Sequence, residues 1–467
     1  MEKSERASRK TFQLRLEAMV ETIRGDIASG VLQKGEFLPS EKTYAGLYRL
    51  SNNTVRKGLE ELVAEGLIEK VPRVGNRVAG RAREETVVLR FGCHVSLLQE
   101  AAMKTLVAEF HKRNPDIRVE LIAMSPELNV YSTVKKRIDE SSLDIFTMNY
   151  NGFDSFREND GFGQLESFEP DSQTYPFLNE AFTQEGQLKL RPLLFTPLML
   201  CYNKNHFREA GLMEPDSGWR WDTLFEAADR LTVERERFGF YFHFPSSNRW
   251  PVLFMQNGLR FERNDAGGFE TDGRKLKESL MACRTIYLRN RFPLFLSEED
   301  SDAEKLFFQG KVSMILTTYM GLNRHERSAE FEYDIAPLPY LNEPKTLLML
   351  VGLAISTHSK EKESARRFVD YLASGEAQML IRRKTLSIPS LKPAAEWTGE
   401  ESVYRPYRFH MYREIIPTFR TFRDLNMPIA RLESLYKEAN LYWSGLETEE
   451  EAVRRLERLL AAPDDRK

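Results

Sequence analysis

The sequence predicts an α/β protein in which a small helical domain precedes a much larger domain of alternating strands and helices. The chain has 467 residues, about three times the usual size of a single hydrophobic core, so it should contain more than one domain. Helix-type spacing of apolar residues dominates residues 1–80, whereas apolar runs of strand length alternate with helical patterns from residue 87 onward. We therefore expect a first domain over 1–80, a polar linker over 81–86 and a second domain over 87–467.

Charge is distributed unevenly along the chain. Residues 1–83 contain 16 Lys and Arg against 11 Asp and Glu, and the remaining residues contain 51 against 59. A basic head on an acidic body indicates that only the head approaches a polyanion, although a segment of this charge also arises by chance. The composition, with 41% hydrophobic and 29% charged residues, is that of an ordinary globular protein.

The N-terminal sequence and the cysteines bear on location and cofactors. The charged start Met1–Lys10 is followed by no apolar run long enough for a signal peptide or a membrane span, so we expect a cytoplasmic protein without membrane contact. Cys93, Cys201 and Cys283 have no paired spacing and should be buried thiols. No His and carboxylate cluster has metal-ligand spacing, and we expect no metal or other cofactor. Isolated histidines are expected at the surface: His206, His325 and His358.

Two helices are predicted before residue 50. Apolar residues at i, i+3, i+4, i+7 and i+11 predict a helix over about 13–29 that ends at Gly30. The stripe consists of Leu16, Met19, Val20, Ile23 and Ile27. Ser40 is placed to cap a second, shorter helix. The expected inner face of that helix is Tyr44, Leu47 and Tyr48.

A third helix should begin after Ser51. Its expected buried stripe is Val55, Leu59, Leu62 and Val63. The opposite side then carries Asn53, Arg56, Lys57 and Glu60, with Asn52 at the leading tip. Asn and Arg side chains read base edges, and the free N–H groups of a first helical turn favour phosphate. The pattern is typical of a DNA-reading helix, although a solvated polar face is the more common role of such a stripe taken alone.

A strand, a basic turn and a second strand follow the third helix. The turn is predicted at Arg73–Arg77 and the second strand at Val78–Ala79. Three helices and a basic β-hairpin together predict a winged helix-turn-helix. Residues 14–79 resemble the DNA-binding domain of the GntR family of bacterial transcription regulators. The resemblance rests on Leu-Pro-Ser-Glu at 38–41, Ser-x-x-Thr-Val-Arg at 51–56 and Glu-Gly-Leu-Ile at 65–68.

This resemblance implies which side chains face double-stranded DNA. The expected DNA-contacting residues are Lys42, Ser51, Asn52, Asn53, Thr54, Arg56, Lys57, Arg73, Gly75, Asn76 and Arg77. The wing tip at Gly75 should lie along the backbone or in the minor groove. The family usually has Arg in place of Lys42 and often in place of Asn52. Bidentate guanine contacts are lost there, so the operator should differ from common family sites.

Strand and helix patterns alternate through the body of the chain. Strands are predicted at 87–92, 118–123, 144–148, 238–244 and 312–317, and helices at 98–114, 130–140, 303–310 and 361–373. The alternation is typical of a parallel α/β sheet, and no period of 20–50 residues indicates a solenoid.

The body resembles the family 1 extracellular solute-binding proteins, the maltose-binding-protein type. The segments that carry the resemblance are 108–117, 200–205, 308–314, 334–339 and 365–372, in this order. It implies a two-lobed, periplasmic-binding-protein-like (type II) α/β domain with a ligand cleft between the lobes. The strands that cross between the lobes are expected near 197–202, 335–339 and 386–389.

A sugar-binding cleft needs aromatic planes beside polar side chains, and clefts of this kind lie at strand ends. The ligand-binding candidates are His94, Asn149, Tyr150, Asn248, Arg249, Trp250 and Tyr319, with Trp397 as a weaker candidate. For each of them ordinary packing or a solvated loop is an equal alternative. Trp219 and Trp221, at the start of a predicted helix, are interpreted as structural.

Motifs of catalysis are incomplete in this sequence. Gly310-Lys311 resembles the end of a phosphate loop, but Val312 stands at the Ser/Thr position and Lys305 at the first glycine. The sequence has no Gly-x-Ser-x-Gly or His-Glu-x-x-His motif. We therefore expect no enzyme.

Together the two resemblances predict a transcription regulator whose operator affinity is controlled by a small ligand, with a sugar or oligosaccharide as the expected effector. Paired DNA-reading heads need two half-sites, so a homodimer on an inverted repeat is expected. The alternative is a solute-binding or transport-related scaffold protein that does not bind DNA.

Overall fold

A computed structural model of the chain describes residues 9–29, 31–72, 74–79, 86–125, 130–289, 298–324, 330–399 and 403–463. The chain divides into two compact units, Met1–Val87 and Val88–Lys467. Among the described residues, no helix combines the length and the apolarity that crossing a membrane requires.

The first unit contains three helices and a two-stranded antiparallel hairpin. The helices are α1 (Arg9–Ser29), α2 (Glu41–Tyr48) and α3 (Asn52–Ala64), and the strands are β1 (Ile68–Val71) and β2 (Gly75–Val78). The core is formed by Met19, Val20, Ile23, Leu38, Tyr44, Leu50, Val55, Leu59, Leu62, Ile68 and Val78. The apolar periodicity of α1 and α3 therefore predicted the faces on which these helices pack.

Two residues that were expected in this core are exposed. Leu47 is 70% exposed and Val63 is 37% exposed. For Val63 the reason lies at Gly58, where an added Cβ would be 2.7 Å from Met19 Cε and 2.8 Å from Leu16 Cδ1. This close approach of α3 to α1 centres their contact on Gly58 and leaves Val63 at its rim.

The second strand of the hairpin begins three residues earlier than the sequence analysis expected. β2 starts at Gly75, so Asn76 and Arg77 lie in the strand and not in the turn. Arg77 faces Glu69 across the ladder. As neighbours in a strand, Asn76 and Arg77 point to opposite faces of the hairpin, and both are half-buried.

The second unit is an α/β domain. Its strands are β3 (Val87–His94), β4 (Ile117–Met124), β5 (Ile145–Asn149), β6 (Thr183–Gln184), β7 (Gln187–Leu188), β8 (Arg191–Asn203), β9 (Phe238–Tyr241), β10 (Phe261–Arg263), β11 (Phe269–Thr271), β12 (Val312–Thr318), β13 (Tyr333–Ala336), β14 (Thr346–Ile355), β15 (Ile388–Pro389) and β16 (Phe419–Arg420). Its helices are α4 (Leu97–Glu100), α5 (Met103–Arg113), α6 (Val130–Asp139), α7 (Tyr150–Glu158), α8 (Pro176–Ala181), α9 (Lys204–Glu209), α10 (Trp221–Leu231), α11 (Pro251–Gln256), α12 (Gly273–Arg289), α13 (Asp300–Phe308), α14 (Tyr319–Leu322), α15 (Lys362–Leu372), α16 (Gly375–Lys384), α17 (Lys392–Ala395), α18 (Ile429–Trp443) and α19 (Glu449–Ala461).

One ten-stranded mixed sheet organises this unit, with the path β4-β3-β5-β14-β8-β12-β9 and with β13, β15 and β16 paired beside it. β3 runs parallel to β5, and β12 runs parallel to β9. The long strand β8 pairs with β14 through Arg191–Pro197, with one register shift, and with β12 through Leu198–Tyr202. We call the part built on β3, β4 and β5 the first lobe and the part built on β9 and β12 the second lobe; β8 joins them.

The segments expected to cross between the lobes fall on central strands or beside them. Residues 197–202 lie in β8, and 386–389 include β15, which pairs with β8. Residues 335–339 include the end of β13 and the loop after it. The assignment of these segments as crossings stays a prediction.

Two predicted elements of the second unit depart most from the predicted bounds, while others shift by one to three residues. The helix expected at 98–114 is divided into α4 and α5 at Ala102, whose left-handed φ of 49° interrupts the helical hydrogen bonds. The strand expected at 238–244 ends at Tyr241. Phe242 and Phe244 remain buried after it, because they pack into the aromatic core of the second lobe. The predicted strand was too long because these two buried aromatic residues continue the apolar run beyond the end of β9.

The second lobe has a large aromatic core. Trp221 is buried there and donates from Nε1 to Gln256 Oε1 over 3.0 Å, while Trp219 packs against the edge of the same core. The three cysteines are buried and unpaired. His206, expected at the surface, is half-buried, with Nδ1 2.9 Å from Ser313 Oγ.

Candidate functional site

The start of α3 is shaped by a serine cap. Ser51 Oγ accepts from the Thr54 backbone N–H over 3.2 Å, and the two side-chain hydroxyls are 2.8 Å apart. This cap leaves Asn52 and Asn53 exposed on the first turn, beside backbone N–H groups that have no helical partner. The hydroxyls of Ser51 and Thr54 are thus engaged in the cap that begins α3.

An ion pair holds Arg56 on the exposed side of α3. Its Nη2 and Nε donate to the two carboxylate oxygens of Glu41 on α2, over 2.8 and 3.3 Å. The hydrogen bonds from Arg56 lower the pKa of Glu41. Lys42 and Lys57 are exposed near this pair. The sequence analysis missed the role of Glu41, although the glutamate of the Leu-Pro-Ser-Glu motif was a signal for it.

The hairpin carries a second pair of this kind. Arg77 Nη2 on β2 donates to Glu69 Oε1 on β1 over 2.6 Å. Gly75 is exposed and has a φ of 145°, a backbone conformation that favours glycine. Asn76 is half-buried beside it. Arg73 lies outside the described residues, so its predicted DNA contact has no structural description.

In the first lobe, a polar chain begins at His94 at the end of β3. His94 Nδ1 lies 2.9 Å from Ser96 Oγ, and Ser96 donates to Glu100 Oε2 over 2.8 Å. Arg324 Nη2, which follows α14, donates to the other oxygen of Glu100 over 3.3 Å. Burial raises the pKa of Glu100, and burial together with Arg324 lowers the pKa of His94.

Asn149 and Tyr150 have separate structural roles at the end of β5. Asn149 Oδ1 accepts from the Gly152 N–H over 2.9 Å and so caps α7. Tyr150 is buried, with its ring stacked on Phe153 at 6.1 Å between centroids. The side chain of Asn149 remains exposed.

In the second lobe, the loop after β9 brings Arg249 to two acids of α13. Arg249 lies 3.5 Å from Asp300 and 3.9 Å from Glu304. Glu304 Oε1 accepts from Thr317 Oγ1, at the end of β12, over 2.6 Å. Burial raises the pKa of Glu304 to about 7 against the opposing effect of Arg249.

The aromatic residues predicted to bind the ligand lie outside these two polar groups. Trp250 is a core residue, 2% exposed, packed against Phe254, Tyr436 and Trp443. Tyr319 is fully buried, and its hydroxyl donates to the Phe409 carbonyl over 3.0 Å. Trp397 is half-buried beneath the guanidinium of Arg383, 4.9 Å from the ring centroid. Asn248 is half-buried in the loop before Arg249.

The positive charge of Arg324 lowers the pKa of both His94 in the first lobe and Glu304 in the second. Of the predicted ligand-binding residues, His94 and Arg249 each belong to a polar group that contains a buried glutamate. The structure also adds four residues that the sequence analysis missed: Glu100, Asp300, Glu304 and Arg324. Burial of a charged residue leaves no mark on an apolar pattern, so the sequence offered no signal for them.

Comparison with known proteins agrees with both parts of the fold. Residues 95–379 match the model of the bacterial extracellular solute-binding proteins, and residues 16–78 match that of the bacterial regulatory proteins of the gntR family. The sn-glycerol-3-phosphate-binding periplasmic proteins of Shigella dysenteriae and Escherichia coli are each 23% identical over 306 residues, which is 61% of this chain and 69% of the relative.

Solved structures show the same fold for the second unit. A substrate-binding protein of Listeria monocytogenes in complex with cycloalternan has a TM-score of 0.65 at 21% identity, covering 80% of this chain and 98% of that one. A solute-binding protein of Thermotoga lettingae bound with alpha-D-tagatose has a TM-score of 0.67 at 18% identity, covering 80% and 100%. The chain belongs to the bacterial extracellular solute-binding proteins and carries, ahead of that domain, a DNA-binding domain of the gntR family of bacterial regulatory proteins.

Proposed function

We propose that this chain is a cytoplasmic transcription regulator whose affinity for an operator is controlled by a carbohydrate bound between the two lobes of its second unit. It acts as a homodimer on an inverted repeat and has no catalytic role. The observation that carries this proposal is the exposed, capped tip of α3 in the same chain as a solute-binding fold. A solute-binding domain that serves transport alone has no use for such a tip.

The first unit supports the DNA-binding part of the proposal. Asn52 and Asn53 present amide groups that can bond to adenine, and Lys42 and Lys57 present cations for phosphate. Arg56, held by Glu41, points from the same side of α3. Two such heads on one dimer would read two half-sites.

The carbohydrate part is supported by the polar groups at the strand ends and by the ligands of similar folds. Cycloalternan and alpha-D-tagatose are carbohydrates, whereas the curated relatives bind sn-glycerol-3-phosphate. A hydroxyl-rich ligand suits a region that mixes donors and acceptors, as His94, Ser96, Arg249 and Glu304 do.

Ligand and DNA are coupled only if the ligand prefers one arrangement of the chain. An effector shifts operator affinity by no more than its differential affinity for the two states, and the coupling is reciprocal. In this proposal lobe closure on the ligand is the change that distinguishes the states.

The test is a selection of bound fragments from the genome that encodes the chain, followed by titration of the enriched fragment. The double variant Arg56→Ala, Lys57→Ala should abolish operator binding and leave ligand affinity unchanged. A matched control, Lys360→Ala with Lys437→Ala, removes the same charge from exposed positions of the second unit and should bind DNA normally.

The competing function is a solute-binding or transport-related scaffold without DNA affinity. It predicts that the wild-type chain enriches no genomic fragment above background, with or without a sugar. It also predicts that the double variant and its control retain DNA equally and lose it equally with added salt. In that case the net charge of the chain would alone determine DNA affinity.

A further inference from the structure

Arg249, Asp300 and Glu304 of the second lobe lie where α/β sheets bind their ligands. β9 and β12 are parallel neighbours, in register through Phe240 and Met314. Their carboxyl ends therefore meet at one edge of the sheet. Arg249 is in the loop that follows β9, and Thr317, which donates to Glu304, is the last but one residue of β12. Ligand sites in open α/β sheets occur outside this edge.

Three buried polar atoms of this cluster have no hydrogen-bond partner among the described residues. They are Arg249 Nε, Asp300 Oδ1 and Glu304 Oε2. The side chains of Arg249 and Glu304 are only 4% and 2% exposed, so bulk solvent does not satisfy them. Unsatisfied buried charged groups are costly, and native structures keep them chiefly where something else completes them.

The other atoms of the same side chains are engaged, which fixes their direction. Asp300 Oδ2 accepts from Ser246 Oγ over 2.9 Å, and Glu304 Oε1 accepts from Thr317 Oγ1 over 2.6 Å. Arg249 Nη1 donates to the Asn248 carbonyl over 3.2 Å. The unpartnered atom of each group is therefore held in a defined orientation.

The three residues do not satisfy each other. Arg249 Nη1 lies 3.5 Å from Asp300 Oδ2, and Arg249 Nη2 lies 3.9 Å from Glu304 Oε1. Charge-assisted hydrogen bonds are shorter, about 2.7–2.9 Å. Gly321 packs against the Thr317–Glu304 pair, where an added Cβ would lie 2.8 Å from Thr317 Oγ1. The Thr317 hydrogen bond therefore engages Glu304 Oε1 beside the Gly321 backbone.

The chemistry of the three atoms selects the ligand. Above the pKa of about 7 of Glu304, both carboxyl groups are ionised, so their oxygens accept hydrogen bonds while one guanidinium N–H donates. A hydroxyl group both donates and accepts, so two neighbouring hydroxyls satisfy all three atoms. A phosphate dianion has no proton to donate and would face two carboxylates at short range.

We infer that Arg249, Asp300 and Glu304 form a subsite that binds a vicinal diol of a neutral polyhydroxylated ligand and rejects phosphorylated ones. This inference rests on the proposed sensor function and deepens it, because it separates this chain from its relatives that bind sn-glycerol-3-phosphate. The aromatic candidate Trp250 has no part in the subsite, since it belongs to the core.

The test uses the full chain in a thermal-shift screen, with calorimetry for every compound that shifts it. The probes are tagatose, maltose and maltotriose, against sn-glycerol-3-phosphate and glucose 6-phosphate. A neutral sugar should bind and the two phosphates should not. Glu304→Gln and Asp300→Asn should each weaken the sugar by about tenfold to a hundredfold, the usual effect of losing a hydrogen bond to a charged group.

Glu226→Gln is the matched control, because Glu226 is an exposed carboxylate on α10 of the same lobe. It should bind the sugar as the wild type does. Asp300→Asn keeps the test valid if Glu304→Gln fails to fold. Asp300 is partly exposed, so its substitution should disturb the fold less than that of Glu304.

Three results would overturn the inference. They are wild-type affinity in folded Glu304→Gln and Asp300→Asn, binding of a phosphate ester in preference to every neutral sugar, and no response to any probe. Failure of the regulator proposal is a separate outcome, because it shows as loss of genomic fragment enrichment by the wild-type chain.

Discussion

Arg56 of α3 is fixed by Glu41 of α2 through two hydrogen bonds, the shorter of them 2.8 Å long. The pair joins the two helices of the helix-turn-helix on their solvent side, where Arg56 is half exposed. A guanidinium in this setting keeps a single orientation and presents less free charge to any phosphate that approaches it. Glu41 is therefore expected to act on specificity more than on affinity.

The first prediction concerns Glu41→Gln. The variant should bind random DNA more tightly, because Arg56 gains a free charge, and should discriminate the operator from random DNA about fivefold to tenfold less well. Competition binding at several salt concentrations measures both quantities. Glu61→Gln removes the same charge from α3 outside this pair and should retain wild-type discrimination. Equal discrimination by Glu41→Gln and the wild type would show that the ion pair has no role in reading sequence.

The second prediction compares two glycines of the first unit. Gly58→Val should destabilise this unit by about 1–3 kcal/mol, because its side chain would overlap Met19 and Leu16. Gly46→Ala should stabilise it by about 0.5–1 kcal/mol, since Gly46 is in a helix and an added Cβ meets nothing within 4 Å. Calorimetric unfolding of the full chain measures both. A stable Gly58→Val variant would contradict the close approach of α1 and α3.

The third prediction is a dependence of stability on pH. The pKa of Glu304 is raised to about 7 by burial, while Asp300 adds to this rise and Arg249, Thr317 and Arg324 oppose it. The folded chain therefore holds a proton that the unfolded chain releases near pH 4.5, the ordinary value of the group. Its contribution to stability is lost as the pH rises from about 4.5 to 7.

Melting temperatures measured across this interval in wild type and in Glu304→Gln check the sign. Five histidines whose pKa is lowered oppose this trend, so the prediction concerns the difference: with rising pH, wild-type stability should fall relative to that of Glu304→Gln. Asp154, whose pKa is also raised to about 7 by burial, contributes in the same direction. Asp154→Asn should thus flatten the profile independently, and an unchanged slope in both variants would count against buried, protonated carboxyls.

The fourth prediction separates the two units. Gly239 on β9 lies so close to the Ala228 backbone of α10 that any side chain would require the strand or the helix to move. Gly239→Ala should therefore disrupt the second lobe, abolish the ligand-induced thermal shift and leave fragment binding by the first unit intact. Gly375→Ala, at an open helix start, is the control. Normal ligand binding by Gly239→Ala would mean that β9 tolerates displacement.

Local patterns predicted the architecture of this chain because secondary structure follows from periodicity. The stripe from Leu16 to Ile27 placed α1, and the spacing of Val55, Leu59 and Leu62 placed the buried face of α3. The alternation of strands and helices predicted the α/β second unit in the same way. Even the position of Asn52 and Asn53 at the tip of α3 followed from the serine cap.

The functional regions depended on contacts between residues far apart in the sequence. One example is the pair formed by Glu41 and Arg56. Others are the burial of Glu304 beside Arg249 and the placement of Trp250 in an aromatic core. A charged residue has the same appearance in a sequence whether it is solvated or buried, and a tryptophan has the same appearance in a cleft or a core. Packing and desolvation distinguish these cases, and both arise only when distant segments meet in the folded chain.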